Sequence, residues 1–133
     1  MSLVLPAPLL AVVVGHAQAD APVEACGALV GYGTRRARRV QQLVNVAGSA
    51  HRFEIDPTAL LALCRGLDVT GERVVAWYHS HTSTDAVPSP ADVAYADPSV
   101  LHLIVSTVQT PPVVRCWRIV GGWVDPVAVL VLS

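Results

Sequence analysis

Two histidines one residue apart, His79 and His81, are followed after seven residues by Ser89 and, three further on, by Asp92. The apolar run 74–78 ahead of them has the length and composition of a buried strand. Residues two apart on a strand point to the same face, so the two imidazoles can stand side by side. Ser89-Pro90-Ala91-Asp92 has the order of a helix start: a hydroxyl at the cap, proline at the first helical position and an acid in the first turn. If that helix folds back over the strand end, Asp92 joins the two rings. Two imidazoles and a carboxylate suit a zinc ion that keeps a fourth position for water. Water so held can become a nucleophile near neutral pH. The competing reading is a pair of packed histidines beside an ordinary helix cap.

The elements that must position these residues can be placed in outline. Residues 8–19 form a helix with apolar residues on most sides, hence a buried one. A short apolar strand covers 28–32, and 38–46 alternates well enough to be its partner, with an arginine-rich turn between them. A short strand at 52–55 precedes Asp56-Pro57, an N-cap followed by proline, and the helix that follows runs to about Arg65 with Gly66 near its C-cap. Strand 74–78 delivers the histidines and helix 90–95 delivers Asp92. Strands at 101–106, 113–120 and 123–132 close the domain, and Gly121-Gly122 marks a tight hairpin between the last two. The predicted architecture is an α/β domain over residues 1–133, a curved mixed β-sheet with helices packed around it.

His-Ser-His, seven residues, then Ser-x-x-Asp resembles the signature of the JAMM (MPN-plus) zinc metallopeptidases. The segment Glu24-Ala25-Cys26-Gly27 ahead of an apolar strand is similar to the setting of that family's N-terminal glutamate. The likeness runs over residues 6–125 or so. It implies the MPN/JAMM fold, Zn2+ as cofactor, and His79, His81 and Asp92 as metal ligands. It further implies Glu24 as the general base, and Ser89 as a hydrogen-bond donor to the oxyanion in addition to its capping role. Thr82 stands where proline is common in the wider family. The run from His79 to Ser89 is most similar to members that act on a small ubiquitin-like sulfur carrier protein, which implies amide hydrolysis at the carrier's C-terminus with release of cysteine. A non-catalytic MPN scaffold and a peptidoglycan or small-peptide hydrolase of the same fold are the alternatives. Scaffold members typically lack ligands, whereas Glu24, His79, His81, Ser89 and Asp92 are all present here.

The remaining chemistry-bearing residues carry weaker signals. Cys26 is either a small buried residue under the site or a thiolate ligand, and Asp85 is read as a solvated loop acid. His16, His51 and His102 are isolated. Arg35, Arg36, Arg38 and Arg39 are either a solvated turn or a dock for an acidic partner, since clustered arginines suit carboxylates and steer association.

Composition bounds the rest. The formal net charge is -1, so no global field draws the chain to nucleic acid or an anionic membrane. The hydrophobic fraction of 53% with only 5% aromatics leaves Val, Leu and Ala to build the interior. Three cysteines without a Cys-x-x-Cys pair argue against a disulfide framework and for a reducing, cytoplasmic setting. The missing pair also argues against the zinc deaminases. The apolar N-terminal stretch lacks a basic leader and is interrupted by Pro6 and Pro8, so it is read as part of the domain and not as a signal peptide or a membrane span. The apolar strand at 127–132 could pair two copies of the chain into a homodimer.

Overall fold

The structure is a computed structural model describing residues 1–133. The elements in chain order are β1 (Ser2–Pro6), α1 (Ala7–Asp20), β2 (Cys26–Gly31), β3 (Arg39–Leu43), α2 (Pro57–Thr70), β4 (Arg73–His81), α3 (Pro90–Tyr95), β5 (Leu101–Ser106), β6 (Val113–Val120) and β7 (Trp123–Leu132). Seven strands make one sheet in the order β1-β7-β6-β5-β4-β2-β3. The pairs β1/β7 and β4/β5 are parallel and the others antiparallel. The sheet curls until its ends meet: Val4 N–H donates to the Arg35 carbonyl at 2.7 Å, and Ala37 N–H to the Val4 carbonyl at 3.0 Å.

Alternation along β4 divides the interior. Tyr78 joins Leu3, Leu5, Val13, Leu29 and Leu103 in the main core beneath α1. Trp77 faces the other way, toward α2, where Leu67 packs on Ala28 and Val30. A third cluster of Ala86, Ile104, Trp117 and Ile119 takes Val93 and Ala96 from α3 and its exit. Gly27 sits directly across from Tyr78, and a Cβ there would lie 2.3 Å from the tyrosine ring, so only glycine fits under it. Gly121 and Gly122 have φ of 57° and 85°, the left-handed pair that a two-residue hairpin requires.

The curved mixed sheet, α3 and the last three strands stand as the sequence predicts. Four features differ. The N-terminal residues 2–6 form β1, a strand whose partner β7 lies at the other end of the chain. Helix α1 buries only one side, with Val13 and Ala17 buried while Val12 is exposed. Gly66 lies inside α2, which continues because Leu67 still has core to pack against; Gly71, at φ 75°, is the left-handed cap. Residues 52–55 make a single bridge, Asn45 to Ile55, and no strand. Strand β7, the segment expected to pair two copies of the chain, pairs with β6 over residues 123–127 and with β1 over residues 128–132. No helix is long and apolar enough to cross a membrane.

Candidate metal centre

Strand β4 runs on through both histidines, so His79 and His81 leave the sheet on the same face, each only 4% exposed. Helix α3 begins at Ser89 with a reciprocal cap: Ser89 Oγ accepts Asp92 N–H at 3.1 Å, and Asp92 Oδ2 accepts Ser89 N–H at 2.9 Å. This pairing satisfies two otherwise free backbone donors. It also aims the Asp92 carboxylate at the strand end.

The result is a triangle of three donor atoms. His79 Nε2 and His81 Nε2 are 3.2 Å apart, and each is 3.1 Å from Asp92 Oδ2. Tetrahedral zinc with bonds of about 2.0–2.1 Å keeps its ligands about 3.3–3.4 Å apart. The donor set and its spacing therefore fit an ion held by three side chains. His81 Nδ1 donates to the Asp85 carbonyl at 2.7 Å, which leaves Nε2 its lone pair for a metal. His79 is braced differently, by the Phe53 ring stacked on it with centroids 4.7 Å apart and planes at 28°.

The electrostatics match a cation site. Burial works to raise the Asp92 carboxyl, but hydrogen bonds and charge from His79 and His81 pull it far below the usual carboxylate range. Burial disfavours a charged His81, yet the Asp92 and Asp85 contacts outweigh it and hold the ring above its ordinary value. Protons and a metal ion thus compete for the same three atoms. Glu24 is 5% exposed and lies outside the triangle. Burial lifts its carboxyl from 4.5 to about 7, with His81 opposing and Asp92 adding to the rise. A carboxylate poised near neutrality suits proton transfer.

Other sequence candidates fall into place. Cys26 pairs with His79 across the β2/β4 ladder but is no part of the triangle. Its thiol is pushed up to about 11, mainly by burial, which suits a packed residue. Asp85 acts through its backbone carbonyl, while its side chain accepts from Gln109. Thr82, in place of proline, reaches the Pro22 and Ala50 carbonyls at 3.0 and 3.2 Å and ties β4 to the segment before Glu24. His16 bonds Tyr78 and His102 bonds the Asp97 carbonyl, and neither is part of the triangle. His51 is exposed. The arginines are not brought to the site. They follow Gly31, five residues along β2 from Cys26, or about 17 Å at the rise of an extended chain. Arg39 is engaged by Glu72, and Arg38 lies over Tyr32. Asn45, Phe53 and the Asp85 carbonyl are site features that sequence reasoning missed. The one available signal was the position of Phe53 as the sole phenylalanine of the chain, and that is a weak one.

An α/β sheet that ends in a His-His-Asp group, with a buried glutamate on the neighbouring strand's approach, defines a class of domain with a candidate metal centre. Within that class, residues 6–120 match the model of prokaryotic homologs of the JAB domain, and the chain belongs to this JAB/MPN family. It is similar to the CysO-cysteine peptidase of Mycobacterium tuberculosis, 36% identical over 96% of this chain and 91% of that protein. It is also similar to a Thermus thermophilus protein named "Probable TtuB-protein conjugate cleaving protease", 36% identical over 79% of this chain and 70% of the relative. Among solved structures, a Desulfitobacterium hafniense protein superposes with a TM-score of 0.89 at 30% identity, covering 98% of this chain and 93% of its own.

Proposed function

We propose that this chain is a zinc-dependent peptidase that hydrolyses the amide bond joining a terminal residue to a small ubiquitin-like sulfur carrier protein, releasing cysteine. The observation that carries the reading is the triangle of His79 Nε2, His81 Nε2 and Asp92 Oδ2 at 3.1–3.2 Å. The names of the two relatives, one a peptidase of CysO-cysteine and one a protease of TtuB conjugates, support the substrate class.

His79, His81 and Asp92 would hold the ion, which when bound supplies Lewis acidity to a carbonyl and makes water acidic enough to attack near neutral pH. The chain's own residues supply the rest. Glu24 takes the proton of the attacking water on its carboxylate and returns it to the departing amine, a service worth about a hundred to ten thousand-fold. Ser89 Oγ already accepts a backbone N–H, so its hydroxyl proton stays available to the developing oxyanion. The His81–Asp85 hydrogen bond and the Phe53 stack keep both imidazoles in orientation.

A thin, extended carrier tail suits an approach along an open sheet edge, where backbone groups pair with it. Beyond residues 35–37, which meet β1, strand β3 pairs with β2 alone and leaves its other side for such a tail. Docking on the arginine turn requires the carrier body to lie along β2, since that turn is at the end remote from the site. The test is incubation with CysO bearing a C-terminal cysteine, read by intact mass. Loss of one cysteine residue that depends on zinc supports the reading, and an unchanged carrier defeats it.

A further inference from the structure

We propose that Asn45 is a positioning residue that fixes Glu24 for proton transfer, an inference that rests on the reading of Glu24 as the general base. Glu24 stands two residues before β2 begins, outside the ladder that would otherwise hold its backbone. Its carbonyl instead accepts Asn45 Nδ2–H at 3.0 Å, and its N–H donates to the Ser49 carbonyl at 2.9 Å. The same Asn45 amide donates to the Arg52 carbonyl at 3.0 Å, and its Oδ1 accepts the N–H groups of Ala47 and Glu54, each at 3.0 Å. A carboxamide has two donors and two acceptor sites, and this one uses all four while only 8% exposed.

Residues 45–54 are therefore folded around one side chain. That loop grips the glutamate from both sides, and its Phe53 also stacks on His79. One segment thus sets the base relative to a metal ligand. Displacing a reacting group by about 1 Å can cost about a hundredfold in rate, so the clamp has a consequence beyond loop stability. The bland alternative is an amide that satisfies a loop and has no bearing on turnover.

The test uses Asn45→Asp, which keeps the acceptor oxygen for Ala47 and Glu54 but loses both donors, with Asn45→Ala beside it. With the zinc-loaded protein and CysO carrying a C-terminal cysteine, kcat should fall about 10–100-fold, with KM changed by less than about twofold. Zinc affinity should be unchanged. In a Glu24→Gln background, Asn45→Asp should cost less than about a further twofold, because the two act as one unit. Independently of turnover, the Glu24 amide should exchange with solvent about tenfold faster in Asn45→Asp, while the Leu29 and Tyr78 amides keep their protection. Tyr78→Phe, which loses its bond to His16 on the opposite face of the sheet, should leave kcat alone. Full kcat in Asn45→Asp, an equal loss in the Glu24→Gln background, or an unchanged Glu24 amide would overturn the positioning role. Failure of both Asn45 variants to fold would also overturn it, by assigning the amide to the fold. Full turnover in Glu24→Gln would overturn the general-base reading instead.

Discussion

Replacing Glu24 with glutamine should stabilise the metal-free protein in alkali and do little in acid. Burial raises the Glu24 carboxyl from 4.5 to about 7, so the folded chain holds this proton more tightly than the unfolded one. Below 4.5 the group is neutral in both states and costs nothing. As pH rises through about 7, the folded protein must carry a buried carboxylate that the unfolded chain ionises freely, and stability is lost. The interval from 4.5 to about 7 corresponds to about 3 kcal/mol, and about 2.5 kcal/mol of that develops between pH 5 and 8.5. Glutamine has no proton to lose and escapes this cost. Urea unfolding in the presence of a chelator, followed by tryptophan fluorescence at a series of pH values, should show parent and Glu24→Gln curves diverging by that amount as pH rises. Excess zinc should shrink the gap, since a nearby dication favours the carboxylate. Curves that stay parallel from pH 5 to 8.5 would refute the buried, proton-holding Glu24 on which the mechanism depends.

Turnover in the zinc-loaded enzyme should fall on the acid side with a midpoint at or below about 7, because only the ionised Glu24 accepts a proton; a rate that rises as pH is lowered would contradict it. Asp92→Asn should abolish stoichiometric zinc by elemental analysis, and in the metal-free protein it should lower the urea midpoint at neutral pH but much less in strong acid, because the carboxylate that His79 and His81 hold ionised is lost. Ser89→Gly should keep most of the helix cap, at a cost of a few tenths of a kcal/mol, while losing about a hundred to a thousandfold in kcat as an oxyanion donor is removed. Gly27→Ala forces a methyl to within 2.3 Å of the Tyr78 ring and should lower the urea midpoint by the equivalent of about 1–3 kcal/mol or more. Changing Arg35 and Arg36 to glutamine should leave hydrolysis of a short tail peptide unaltered, given their place at the far end of β2; an altered peptide rate would contradict that placement.

The clustering of His79, His81 and Asp92 was legible because its geometry is local. His79 and His81 are two apart on one strand, and Ser89 and Asp92 are three apart across a helix start, so spacing alone implied the faces they share. Tight turns and short elements with clear caps, such as Gly121-Gly122 and α3, were readable for the same reason. What the sequence hid is held by long-range partners. Strand β1 exists only because β7 offers it an edge across the whole length of the chain. Gly66 has the look of a helix stop, and only the packing of Leu67 on β2 carries α2 past it to Gly71. Asn45 sits in a polar-looking loop, and its meaning comes from the Glu24 carbonyl 21 residues away. The Asp85 carbonyl and the Phe53 ring act through backbone and stacking, which leave no pattern in residue types.

The central claim is that His79, His81 and Asp92 hold a metal on which amide cleavage depends. The most direct measurement is intact-mass analysis of CysO bearing a C-terminal cysteine, incubated with three preparations: the parent loaded with one equivalent of zinc, the same protein stripped by chelator, and the His79→Ala, His81→Ala double variant supplied with zinc. Only the first should shorten the carrier by one cysteine residue, and restoring zinc to the stripped protein should restore cleavage. Undiminished cleavage by the stripped protein or by the double variant would contradict it.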